Sequence, residues 1–198
     1  MGPEASVILG TRLDASQRET LDEMIRSVST RRAAGQFFVR TTAAVGGSYE
    51  REPWEEDWPF EVSVAERADE STDEVDRFRN LIEDAFGVRP GDSIRLSAWR
   101  NGDGPHRILG ELCLAFAGRF GGIIAFGGAL EPRRYDLYGI EADWADVAPH
   151  SDAMLAGMPG KLTAVPYRTA RDTDWVSHFG DSTFMRAWLS HPGFHMIK

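Results

Sequence analysis

Apolar residues recur along the first hundred positions with two different spacings. They alternate with polar residues over 60–65 and 93–99, and they form short apolar runs over 5–9 and 36–42, which predicts four strands. They recur at every third or fourth position from residue 16 to about 32, and again from Val75 to Phe86, which predicts two amphipathic helices. The predicted order is strand, helix, strand, strand, helix, strand.

Polar residues at the ends of these two helices fit known capping patterns. Ser16 with Glu19, and Ser71 with Glu74, have the form of the capping box, in which both side chains accept hydrogen bonds from backbone N–H groups at the helix start. Gly87 follows the second helix at a position where a left-handed residue commonly ends a helix. We therefore expect helices to begin near Ser16 and near Ser71.

The second half of the chain carries weaker signals. Its expected elements are a third, deeply buried helix over 108–120, a short helix capped by Asp181, and strands over 123–126, 161–167 and 194–197. Residues 127–160 contain scattered prolines and glycines and are expected to form a long, partly ordered connection.

The order of elements predicts the fold class. The first half has the split βαβ, or ferredoxin-like, order, and the second half, counted from residue 93, repeats it more loosely. We therefore predict an α+β protein with a mainly antiparallel sheet and helices on one face. A chain of 198 residues suits a single domain over 1–198. The alternative is a division into 1–100 and 101–198.

Composition favours a cytoplasmic protein. The longest mainly apolar run, 108–126, is interrupted by Glu111, Arg119 and glycines, whereas a membrane helix needs about 20 nearly uninterrupted apolar residues. The N-terminal residues lack the basic start and apolar stretch of a signal peptide. Cys113 is the only cysteine, which excludes an internal disulfide and a cysteine-based zinc site.

The negative charge is concentrated in one window. The chain has 22 basic and 31 acidic residues, a net charge of −9. Residues 50–74 hold eleven acids and two arginines, so this window carries the whole net charge and the rest of the chain is balanced. All basic residues except Lys161 and Lys198 are arginine, a bias that indicates a GC-rich genome. Without a basic stripe, nucleic-acid binding is not expected.

Motifs for catalysis, phosphate binding and metal binding are missing from the sequence. It has no Gly-x-Ser-x-Gly elbow and no glycine-rich phosphate loop. His191 and His195 are four residues apart, but Pro192 and Gly193 between them exclude the helix that would give this spacing meaning. A second cluster, on the 127–160 connection, is expected to be solvated loop; it consists of Asp146, His150 and Asp152. We therefore expect no metal and no cofactor, and an inert Cys113 on the third helix.

An acidic and aromatic segment is the strongest candidate for a binding site. Its residues are Trp54, Glu55, Glu56, Asp57, Trp58 and Phe60. Large aromatic side chains supply much of the energy of protein interfaces, and a local negative field speeds encounter with a basic partner. The alternative is a solvated acidic loop whose tryptophans pack onto the core.

A second candidate site lies near the C-terminus. Trp175, His178 and Asp181 are close in sequence, and His178 with Asp181 could form an acid–base pair in a ligand pocket. The alternative makes Asp181 the N-cap of the last helix and His178 a residue of the preceding loop.

The last 80 residues resemble a known family. Residues 118–130, with the tail Ala187-Trp-Leu-Ser-His-Pro-Gly-Phe-His-Met-Ile-Lys198, resemble an uncharacterised family of small actinobacterial proteins, which is similar in general style to immunity proteins of bacterial toxin systems. The resemblance assigns no functional residue. We therefore expect a non-enzymatic binding protein, of immunity type, that occludes a basic toxin through the acidic segment; the alternative is a small-molecule enzyme or ligand-binding regulator.

Overall fold

Eight described strands form one antiparallel sheet that runs through both halves of the chain. The computed structural model describes residues 2–33, 35–40, 57–66, 72–127, 129–130, 144–168 and 174–196. The strands are β1 (Glu4–Ile8), β2 (Arg31–Ala33), β3 (Gln36–Val39), β4 (Trp58–Ala65), β5 (Ser93–Ala98), β6 (Ile123–Gly127), β7 (Leu162–Arg168) and β8 (Asp174–Gly180). The helices are α1 (Ala15–Val28), α2 (Asp73–Phe86), α3 (Asp103–Phe120), α4 (Trp144–Leu155) and α5 (Ser182–Leu189). The sheet order is β2-β3-β4-β5-β1-β6-β8-β7, and the predicted α+β class is confirmed.

Helices pack on both faces of this sheet. On the first face α1, α3 and α5 cover the main core, which contains Val7, Ile94 and Phe126. On the second face α2 covers a smaller cluster that contains Ile8 and Ile82. Val7 and Ile8 are neighbours on β1 but belong to different clusters, because successive side chains of a strand point to opposite faces. The prediction that helices pack on one face is therefore wrong for α2.

Split βαβ units occur in the second half of the chain. β5 and β6 are joined by α3, run parallel and enclose β1, which is antiparallel to both. β6 and β7 are joined through α4, run parallel and enclose β8 in the same way. In the first half, β4 and β5 are adjacent and antiparallel although α2 joins them. The ferredoxin-like order predicted for the first half is therefore wrong there. In the second half the predicted looser repeat is only partly found, because the strand between β5 and β6 is β1 from the first half.

Helix α1 is capped two residues before the predicted position. The Asp14 carboxylate accepts a hydrogen bond from the backbone N–H of Gln17 at 2.8 Å, and the Gln17 side chain accepts one from the backbone of Asp14 at 3.1 Å. The capping box predicted at Ser16 does not form. A tertiary contact explains the choice, because the backbone N–H of Leu13 donates to the buried carboxylate of Asp92 at 3.0 Å and fixes the chain at the helix entrance.

Helix α2 has the predicted ends but a different cap. Thr72 is its N-cap and accepts a hydrogen bond from the backbone of Val75 at 3.3 Å, whereas Ser71 lies outside the described residues. Gly87 ends the helix with φ of 68°, a left-handed conformation that glycine adopts at low cost. The predicted role of Gly87 is confirmed.

Three elements were not predicted. α1 ends at Val28 rather than near residue 32, and Arg31–Ala33 forms the edge strand β2. α4 lies within the expected 127–160 connection and continues through Pro149. β8 covers residues expected to be a loop, and it forms because β6 and β7 pair with it from both sides.

The C-terminal residues 190–196, here called the clasp, are irregular rather than a strand. The Trp188 indole N–H donates to the carbonyl of His195 at 3.0 Å, and the backbone N–H of Met196 donates to Nδ1 of His106 at 2.8 Å. The backbone of His195 and Met196 is therefore held by a side chain near the end of α5 and a side chain near the start of α3. The strand predicted over 194–197 is wrong for residues 194–196.

Candidate functional site

The base of the acidic segment is held by ion pairs. β3 and β4 are paired up to Val39 and Trp58, so residues 41–56 connect two adjacent strands. Just outside the paired residues, the Arg40 guanidinium donates to the Asp57 carboxylate at 2.8 Å, and Arg31 lies 4.0 Å from the same carboxylate. The hydrogen bond from Arg40 lowers the pKa of the Asp57 carboxyl below its ordinary value. Asp57 therefore has a structural role, because it holds the two strand ends of the β3–β4 hairpin together.

Two of the predicted aromatic residues pack inward. Phe60 is 0% exposed and its ring lies 5.7 Å from that of Phe37. The expectation that Phe60 contacts a partner is therefore wrong, because the sheet and its first-face helices enclose it. Trp58 is half-buried against the main core, so it is not a freely exposed indole. Trp54, with Glu55 and Glu56, lies outside the described residues, and its predicted exposure stays a prediction.

An exposed indole that sequence reasoning missed lies beside this segment. Trp99 follows β5 and is 54% exposed. Its backbone N–H donates to the carbonyl of Pro59 at 3.0 Å, which ties it to the start of β4. The alternation along β5 could have predicted this exposure. Ile94, Leu96 and Ala98 are buried, and Trp99 continues the alternate series of residues, which faces the opposite side of the sheet.

Several connections meet at this end of the sheet, here called the loop end. Strand directions place Arg40, Asp57, Trp99, Gly127 and Arg168 there. These residues border the segments 41–56, 128, 131–143 and 169–173. By sequence, 41–57 has five acids and one arginine, and 131–143 has four acids and two arginines. The described residues of the loop end thus include the exposed indole of Trp99, and the two longest segments that they border are acidic by sequence.

The acidic window is not one continuous surface. β4 runs through it, with Asp57 at the loop end and Glu66 at the other end of the sheet. The eight residues of β4 lie between them, so nine steps of about 3.3 Å place the Cα atoms of Asp57 and Glu66 about 30 Å apart. Glu66 is paired with Arg18 at 2.9 Å. Asp57 and Glu66 therefore do not belong to the same surface.

The second candidate site is only partly assembled. Trp175 and His178 both contact Trp144 of α4, with ring centroids 5.8 Å and 5.4 Å away. Asp181 does not join them, because its carboxylate accepts a hydrogen bond from the backbone of Phe184 at 2.7 Å as the N-cap of α5. The predicted cap is confirmed, and no contact between His178 and Asp181 supports an acid–base pair among the described groups.

His178 is buried as a neutral imidazole. It is 4% exposed, and burial lowers its pKa from 6.5 to about 4, although the charge of Asp152 and a hydrogen bond to the backbone of Gly127 act in the opposite direction. Within the described part of the chain, neither Nδ1 of His178 nor the buried hydroxyl of Ser151 has a hydrogen-bond partner. Sequence reasoning missed Ser151 and the packing of α4 against β8.

Two further candidate residues, His191 and Cys113, are packed among or bonded to neighbouring residues of the fold. His191 stacks on Trp188 at 5.0 Å, and its Nδ1 accepts a hydrogen bond from the backbone of Gly193. Cys113 is 0% exposed, and burial raises the pKa of its thiol. In the described ranges, no group of three or more His, Cys, Asp or Glu side chains is arranged to hold a metal ion.

The fold and these surroundings define a small α+β protein with an antiparallel sheet and an exposed indole at the loop end. The chain belongs to DUF6368, a family of unknown function whose profile it matches over residues 1–198. No curated protein and no solved structure matches it significantly. Among the described helices, none is both long and apolar enough to cross a membrane.

Proposed function

We propose that this chain is a non-enzymatic binding protein that recognises a basic protein partner through its loop end. More specifically, we propose that the chain is an immunity protein that occludes a cognate toxin in the cytoplasm of an actinobacterium. The single observation that carries it is Trp99, an indole that is 54% exposed and is tied by its backbone to the start of β4. Exposed tryptophan next to acidic chain is typical of an interface that buries an aromatic anchor.

The rigid base of the loop end supports this proposal. Binding residues are commonly placed on loops that a stable scaffold positions. Here Arg40 and Asp57 close the β3–β4 connection, and backbone hydrogen bonds from Gly2 and Ala98 join the start of β1 to the end of β5. A partner would therefore meet a surface whose strand ends are already fixed.

An enzyme or ligand-binding regulator built on Trp175, His178 and Asp181 is the weaker candidate. Asp181 is used as a helix cap and His178 is enclosed by α4 and β8. A general base must lie within hydrogen-bonding reach of a substrate, and the burial of His178 opposes this.

A binding assay against the product of the adjacent reading frame tests the proposal. Trp99→Ala should weaken the affinity by about 30-fold, or about 2 kcal/mol, if the indole is an interface anchor. Tyr167→Ala is the matched control, because Tyr167 is also an exposed aromatic, at 41%, and lies on the β7 side of the loop end, four strands from Trp99 in the sheet. Its affinity should change by less than about twofold.

The acidic residues should act on the rate of association. Glu55→Gln with Glu56→Gln should slow association and reduce its dependence on salt, since the Debye length falls from about 10 Å at 0.1 M to about 3 Å at 1 M. Asp57 is kept, because replacing it would also break its pair with Arg40. Unchanged binding by Trp99→Ala and Trp54→Ala, or association that is insensitive to salt, would contradict the proposal.

A further inference from the structure

A groove lies on the second face of the sheet, between α2 and the strands β7 and β8. Its volume is about 940 Å³. The buried side chains of Val165 and Phe179 form its floor, and the half-buried Val75, Phe78 and Leu81 of α2 form one wall. Phe78 and Phe179 meet edge to face with ring centroids 5.4 Å apart. The groove is therefore mainly apolar and aromatic.

The groove includes neither the Trp99 indole nor His178, although Arg168 and Asp174 at one end of it lie at the loop end. Ser177 and Phe179 line it, whereas His178 between them points away and contacts Trp144, because alternate residues of a strand face opposite sides. Trp99 directly follows β5, which is four strands from β7 in the sheet order. A molecule in the groove would therefore leave the loop-end indole free.

The edge of the sheet next to the groove is closed to strand addition. β7 is the last strand of the sheet, and its pairing with β8 is continuous from Leu162 to Arg168. Pro166 lies in the middle of this ladder. Proline has no N–H to donate and occurs in edge strands with that position on the open side, where it interrupts any further strand. An extended peptide is therefore a poor occupant.

The charges of the described lining residues balance. Asp73 and Asp174 oppose Arg77 and Arg168, and Arg168 lies 3.6 Å from Asp174. Among these described residues no net charge favours an ion, so apolar contact is the main source of recognition, with the Ser177 hydroxyl as a polar group of the lining. Pockets for small molecules have volumes of about 300–1,000 Å³ and similar apolar linings with few polar groups.

We propose that this groove binds an uncharged, flat, mainly apolar small molecule against the Phe78–Phe179 ring pair. The ligand class follows from the aromatic floor, the balanced charges and the proline-blocked edge. This site would give the chain a second binding activity, with a lining that does not include the Trp99 indole.

Titration of the full-length chain with the neutral fluorophore N-phenyl-1-naphthylamine tests this inference. Saturable binding to one site per chain is expected. Val75→Trp should fill the groove and weaken binding at least about tenfold, whereas Asn80→Trp, on an exposed side of the same helix, should change it by less than about twofold. Circular dichroism should show both variants folded.

Two further variants keep the test informative if Val75→Trp fails to fold. Tyr167→Ala, at the exposed rim of the groove, should weaken the affinity for the fluorophore by about threefold or more. Trp99→Ala should leave this affinity unchanged. This is the reverse of their expected effects on a protein partner, so failure of one proposal is distinguishable from failure of the other. No saturable binding, equal loss in Val75→Trp and Asn80→Trp, or tighter binding of the anionic 8-anilinonaphthalene-1-sulfonate would overturn the inference.

Discussion

Replacing Trp188 should show how strongly the clasp and α5 stabilise the fold. Trp188 is 0% exposed, and its ring lies within 6.0 Å of those of His191, His195 and Phe194. Burying an indole removes about 200 Å² from water, worth about 5 kcal/mol at about 25 cal/mol per Å². Since alanine retains part of this burial, Trp188→Ala should lower the free energy of unfolding by about 4 kcal/mol.

Trp188→Phe separates the hydrogen bond from the burial. Phenylalanine keeps most of the ring but leaves the carbonyl of His195 without the indole donor. The loss of the bond and of some volume should cost about 2 kcal/mol. This variant keeps the prediction measurable, because a domain stable by only about 5 kcal/mol would barely tolerate Trp188→Ala.

Urea unfolding followed by far-UV circular dichroism measures these effects without relying on tryptophan fluorescence. Trp99→Ala is the control, because the same substitution at an indole that is 54% exposed should cost less than about 0.5 kcal/mol. Equal destabilisation by Trp188→Ala and Trp99→Ala would refute the assignment of Trp188 to the core.

Three other predictions test packing, titration and reactivity. On α3, Gly110→Ala should destabilise by about 1–3 kcal/mol, because its Cβ would lie 2.7 Å from Cε of Met185, whereas Gly118→Ala meets nothing within 4 Å and should stabilise by up to about 1 kcal/mol; unfolding curves with the same sign for both would contradict this. The pKa of His178 is lowered in the folded state, so the unfolded chain binds the extra proton between about pH 4 and 6.5, and stability from this group is full above pH 6.5 and falls as the pH drops through that window. Between pH 6.5 and pH 4 the free energy of unfolding should therefore fall by on the order of 2–3 kcal/mol less in His178→Phe than in the wild type. Parallel curves of stability against pH for the two proteins would refute the role of this imidazole. Cys113 should react with a thiol reagent only as fast as the protein unfolds, because its thiol is buried and its pKa raised; rapid labelling of the native chain would be inconsistent with its burial.

Local patterns predicted most of the elements with strong periodicity. Strands β1 and β3 to β7 and helices α1 to α3 and α5 lie close to their predicted positions, because each has a clear apolar face or cap. Elements fixed by distant pairing were missed. β8 carries Ser177 and His178 and resembles a loop in isolation, and only its two neighbouring strands make it a strand.

The candidate surface was predicted less well for the same reason. The sequence places Trp58 and Phe60 next to acids, but the alternation of β4 turns Phe60 into the core. Trp99 was overlooked because no acid adjoins it in sequence, and only the pairing of β4 with β5 brings it to the loop end. Charge counting along the sequence cannot show that Asp57 and Glu66 lie at opposite ends of one strand.

The central position of β1 has a consequence for how the protein is made. Val7 pairs with Ile94 on one side and with Ile124 on the other, so β1 is synthesised 117 residues before the residue that completes its pairing. At about 5–20 residues per second, a ribosome needs about 6 to 25 s to supply that residue. During this time the nascent chain carries a strand with an open edge, and such edges invite pairing between molecules. The long delay between β1 and β6 thus makes chaperone protection during translation more valuable for this chain than for one whose neighbouring strands follow each other in sequence.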